Sequence, residues 1–108
     1  MRWMETIKVQ SATGKEHAAE HELTLLADDV KKNPDRQGLR EAAVSSHATV
    51  HGCFALRLFW DTDDPKPSGS ALGISLAQSL KAFGLVDHSV WIEALSNEGG
   101  EKNVQENK

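Results

Sequence analysis

Gly52-Cys53-Phe54-Ala55-Leu56-Arg57-Leu58-Phe59-Trp60-Asp61 is the run whose reading decides the fold. In an extended chain successive side chains point to opposite faces. Phe54, Leu56, Leu58 and Trp60 therefore share one side, and Cys53, Ala55, Arg57 and Phe59 the other. A strand with one wetted face alternates apolar with polar residues, and here neither side is plainly polar. The run predicts a strand in a sheet covered on both faces, by helices on one and by something else on the other.

Working outward, Leu39 to Ser46 reads as the neighbouring strand, joined to it by His47-Ala48-Thr49-Val50-His51. Before that lies a turn, Asn33-Pro34-Asp35-Arg36-Gln37-Gly38. Lys15 to Lys32 carries Ala19, Leu23, Leu26, Ala27 and Val30 at helical spacing. Thr13 and Glu16 have the spacing of a capping box at its start. Met4 to Gln10 alternates about Ile7 and Val9 and predicts a first strand.

Downstream, Asp61-Thr62-Asp63-Asp64-Pro65-Lys66-Pro67-Ser68-Gly69 is a loop, after which Ser68 or Ser70 can cap a second helix. Leu72, Leu76, Leu80 and Phe83 form the apolar stripe of that helix. Gly84 has the place of a left-handed C-terminal cap, with Leu85 positioned to pack on Leu80. Val86 to Ala94 reads as a last strand, and residues 95–108 as a flexible polar tail.

The order strand–helix–strand–strand–helix–strand is the ferredoxin-like βαββαβ arrangement, an α+β fold in which both helices cover one face of a four-stranded antiparallel sheet. Residues 1–94 form one such domain. The open face then calls for a partner, most simply the same face of a second copy, closing a homodimer with a self-complementary patch.

Composition narrows the functional classes. A net charge of −4 gives no electrostatic case for nucleic-acid binding. No apolar run approaches a membrane span, and no signal-peptide pattern precedes the first strand. The single cysteine, Cys53, excludes an internal disulfide and, with the absent signal, points to a cytoplasmic setting.

Glu5-Thr6-Ile7-Lys8-Val9, Thr13-Gly14-Lys15-Glu16, the Pro34 to Leu39 turn and Leu58-Phe59-Trp60-Asp61 together resemble the antibiotic biosynthesis monooxygenase-like proteins of the dimeric α+β barrel superfamily. The resemblance implies a small homodimer. Its relatives include cofactor-independent quinone-forming oxygenases, haem-degrading enzymes and isomerases of signal molecules. It also implies that Trp60 lines a cavity between helices and sheet. Haem-degrading members carry an axial histidine on the second helix, and residues 70–83 contain none, so no cofactor is expected. In those members an amide on the first strand assists, a place Gln10 could take.

Candidate ligand-binding residues are Arg57, Trp60, His88, Trp91 and His51. Arg57 in mid-strand needs an anionic partner, which Glu41, Glu93, a dimer mate or a ligand could provide. Trp60 and His88 fit core filling as well as ligand lining. His51 is spaced to share a face with Cys53, the geometry of a thiolate–imidazole pair, but no third group orients them. His17-Ala18-Ala19-Glu20-His21 matches the inverted zinc-peptidase pattern, yet both histidines fall opposite the apolar stripe, so no metal site is expected. Two readings stay open: a cofactor-independent monooxygenase or isomerase acting on a small aromatic or quinol-like molecule, and a non-catalytic ligand-binding or assembly module.

Overall fold

The computed structural model describes residues 1–32 and 37–94. Six elements follow in order: β1 (Arg2–Ser11), α1 (Glu16–Lys31), β2 (Leu39–Ser46), β3 (Cys53–Asp61), α2 (Ala71–Leu80) and β4 (Gly84–Ile92). The strands form one antiparallel sheet in the order β2-β3-β1-β4. This is the expected βαββαβ fold. Residues 33–36 of the turn expected at 33–38, and the tail expected at 95–108, lie outside the described residues.

Register fixes which side chains meet. β1 pairs with β3 through Trp3↔Trp60, Glu5↔Leu58, Ile7↔Leu56 and Val9↔Phe54. On its other edge it pairs with β4 through Ile7↔His88 and Glu5↔Val90. Residues directly opposite in an antiparallel pair share a face. Trp3, Ile7, Val9, Phe54, Leu56, Leu58 and Trp60 are all buried, so this is the face beneath the helices. Ala19, Leu23, Ala27 and Val30 of α1 and Leu76, Ala77 and Leu80 of α2 complete the core.

The other face carries Met4, Thr6 and Lys8 of β1 with Ala55, Arg57 and Phe59 of β3 and Asp87, Ser89 and Trp91 of β4. Among the described residues no helix or strand covers it. The absence of a plainly polar side on β3 thus has two causes: a true core on one face and a row of mixed, half-buried residues on the other.

Three local expectations are corrected. β1 begins at Arg2, not Met4, because Trp3 is 4% exposed and belongs to the core. The residue flanking α1 is Lys15 and no side chain caps it; Glu16 instead accepts from the Gly14 backbone N–H at 3.0 Å. Gly84 is no helix cap: α2 ends at Leu80, and Gly84 opens β4 opposite Ser11. A Cβ there would strike the Gln10 carbonyl, so close strand approach explains the glycine, and Leu85 stays exposed instead of packing on Leu80.

Candidate functional site

Glu5 shares the phase of Ile7 and Val9, and its carboxylate is fully buried under α2. A charge removed from water needs several partners. Oε2 accepts from Trp60 Nε1–H at 2.8 Å and from the Ser70 hydroxyl at 2.5 Å. Oε1 accepts from the Ser70 backbone N–H at 3.0 Å and lies 2.7 Å from His88 Nε2. An ionised carboxylate offers acceptors only, so against that form His88 Nε2 is the donor.

Ser70 is the N-cap of α2 and its Oγ accepts from Gly73 N–H at 2.9 Å. The carboxylate thus sits at the positive end of a helix, where negative charge is favoured. Two glycines make room for it. A Cβ at Gly73 would collide with Glu5 Oε1, and one at Gly69 with the His88 ring. Gly69 also has φ +101°, a backbone conformation that side chains disfavour.

Beside this cluster a cavity of about 480 Å³ opens at the end of the sheet. Trp3, Trp60, Thr62 and Ser70 border it, together with the acidic loop from Asp61 to Asp64. The two indoles stack, with ring centroids 5.4 Å apart and planes 14° from parallel. Each is pinned through its N–H, Trp60 by Glu5 and Trp3 by Thr62 Oγ1 at 2.8 Å. The rim charges are partly neutralised within the chain: Asp61 lies 3.2 Å from the N-terminal amine and 3.6 Å from Arg40, and Lys66 pairs with Asp64.

The sheet register divides the residues singled out from sequence. Trp60 and His88 meet through Glu5. Arg57 lies on the open face, where Nη1 donates to Ser45 Oγ at 3.2 Å. Trp91 shares that face at 60% exposure. His51 lies in the β2–β3 connection, lining a crevice of about 200 Å³ with His17 and His47 at the far end of the molecule. His17 and His21 are both exposed on α1. Among the described residues, no cluster of three or more His, Cys, Asp or Glu could hold a metal ion.

Glu5, Ser70, Trp3 and Thr62 were not singled out as site residues. A signal existed for Glu5 alone: a carboxylate standing in the apolar phase of a strand.

No protein-family model and no curated protein matches the sequence. Solved structures do. Rv0793 from Mycobacterium tuberculosis superposes with a TM-score of 0.64 at 12% identity, covering 87% of this chain and 96% of its own. A point variant of SnoaB, a cofactor-independent oxygenase from Streptomyces nogalater, gives 0.61 at 12% identity, with 87% and 96% covered. An antibiotic biosynthesis monooxygenase gives 0.59 at 11% identity, with 86% and 98% covered.

The fold is that of the antibiotic biosynthesis monooxygenases. The resemblance carried by Glu5–Val9 and Leu58–Asp61 holds at the level of architecture. Identities near one in eight carry a monooxygenase fold without its chemistry, which must be argued from the site itself. No helix among the described residues is long and apolar enough to cross a membrane.

Proposed function

We propose that this protein is a cofactor-independent oxygenase of small, flat hydroxyarenes, working as a homodimer. The observation that carries the reading is the stacked Trp3–Trp60 pair bordering a cavity of about 480 Å³. That volume falls in the range of small-molecule sites. Indoles held by their N–H groups offer a rigid apolar surface to a planar ring. The acidic rim disfavours anionic ligands and suits a neutral ring bearing a hydroxyl.

The chemistry needs no bound redox group. Removing the hydroxyl proton makes the ring electron-rich enough to donate to O₂. One oxygen atom becomes a carbonyl on the ring carbon opposite the hydroxyl. The other leaves as water, with the hydroxyl proton and the hydrogen of that carbon. A naphthol yields a naphthoquinone, one O₂ per ring and no peroxide.

Two features of the open face support the dimer. Met4 stands between Phe59 and Trp91 in the register, a row of large apolar side chains across three strands. Lys8 and Arg57 on the central strands are flanked by Glu41 on β2 and Asp87 on β4, so the face offers both signs of charge to a second copy. Arg57 and Trp91 take their place at this interface, whereas Trp60, directly, and His88, through Glu5, serve the cavity.

An oxygen electrode tests the reading, with 1-naphthol and a panel of substituted naphthols that keep a hydrogen opposite the hydroxyl. Uptake matched one to one by quinone absorbance supports it. Tight binding without uptake across the panel assigns the cavity to a non-catalytic binding module.

A further inference from the structure

We infer that Ser70 relays a proton from a hydroxyl group bound in the Trp3–Trp60 cavity to the buried Glu5 carboxylate, with His88 holding that carboxylate in position. This rests on the oxygenase reading and names the residues that would ionise the substrate.

Glu5 exposes no surface, so nothing in the cavity can touch it. A proton must arrive through one of its neighbours. The Trp60 indole N–H and the Ser70 backbone N–H donate and cannot accept. His88 does not border the cavity. The Ser70 hydroxyl does, and it can give one proton while taking another. Its hydrogen is committed to Glu5 Oε2, and one of its two acceptor positions is filled by Gly73 N–H. Among the described residues the second acceptor position has no partner, which leaves it to a ligand hydroxyl.

The step balances without any oxidant. The substrate O–H bond breaks and its electron pair stays on the substrate oxygen. Its proton joins Ser70 Oγ as the original Ser70 proton passes to Glu5 Oε2. The products are a phenolate, an unchanged serine and a neutral Glu5. Throughout, Oε1 keeps its contacts with His88 and the Ser70 N–H, which prevents the acid from swinging away. Gly73 leaves Oε1 the space it occupies at the helix end.

The test uses 1-naphthol with the full-length protein. Ser70→Asn keeps a capping acceptor but has no hydroxyl proton to pass on. Its kcat falls ~100-fold while KM stays within ~3-fold, and Ser70→Thr rescues most of the loss. A naphthol already ionised at the assay pH binds more weakly at the acidic rim in both proteins but, once bound, turns over with equal kcat in wild type and Ser70→Asn, which a merely structural role would not allow. Equal kcat for wild type and Ser70→Asn on 1-naphthol overturns the relay and leaves the oxygenase standing.

A second measurement is independent of turnover. Excited 1-naphthol is a strong acid, so with protein in excess the bound probe emits as naphtholate in the wild type and as neutral naphthol in Ser70→Asn. Naphtholate emission confined to the wild type, with no oxygen uptake, keeps the relay and removes the oxygenase. Identical emission in the two proteins, or no binding of the probe, overturns the relay.

Discussion

Glu5 Oε1 and His88 Nε2 stand 2.7 Å apart although 83 positions separate them in the chain. The contact joins the central strand β1 to the edge strand β4 beneath the N-terminus of α2. It places a fully buried carboxylate at the junction of three elements, where removing one partner leaves the others unmatched.

Glu5→Gln is expected to destabilise the fold by about 2–4 kcal/mol, because an amide NH₂ would face groups that themselves donate. For a domain of this size that lowers Tm by roughly 10 °C or more. Thermal unfolding followed by circular dichroism measures it, and a melt within a degree or two of wild type would contradict the account. His88→Ala should cost less, since that side chain is 15% exposed and water can replace it.

Gly73→Ala reverses the usual sign of a glycine-to-alanine change in a helix, which normally gains up to about 1 kcal/mol. Here the new Cβ collides with Glu5 Oε1, and the protein is expected to lose stability. Ser79→Ala on the exposed side of α2 is the control and should be neutral or slightly stabilising. If both changes stabilise alike, the close approach of Glu5 to α2 is wrong.

Trp3→Leu removes one leaf of the stacked wall and should weaken 1-naphthol binding by roughly 3- to 10-fold, the worth of an aromatic contact. Asp63→Asn on the rim should change it by less than about 2-fold. Calorimetric titration of the three proteins distinguishes the wall from the rim. Equal losses in both variants would place the ligand elsewhere.

Sedimentation at micromolar concentration is expected to give a species of twice 11.8 kDa. Phe59→Glu puts a charge into the apolar row beside Met4 and should shift the equilibrium to monomer without lowering helix content. A wild-type protein that sediments as an 11.8 kDa monomer refutes the dimer.

Much of the fold was legible along the chain because it is local. The stripe Ala19, Leu23, Ala27, Val30 is a matter of helical spacing, and those residues are the buried face of α1. The phase Phe54, Leu56, Leu58, Trp60 is a matter of alternation, and it faces the helices. The failures were also local in kind. Gly84 after a helix reads as a cap, and nothing in the chain reveals that Gln10 will run against it.

The site was barely legible. Trp60 and His88 were marked by residue type, yet the group that joins them, Glu5, sits in a strand read only for its apolar phase. Alternation along each strand already parted Arg57 from Trp60 and Trp91 from His88, and the pairing of the strands decided which of the two faces the helices cover.

Element order, helix faces and the two-sided character of Gly52–Asp61 were thus settled by periodicity, which depends only on near neighbours. That Glu5 meets Trp60, Ser70 and His88, and that Trp3 stacks on Trp60 at the mouth of a cavity, was settled by the pairing of β1 with β3 and β4 and by where α2 crosses them. Such contacts hang on strand register, in which a slip of one residue turns every side chain to the other face.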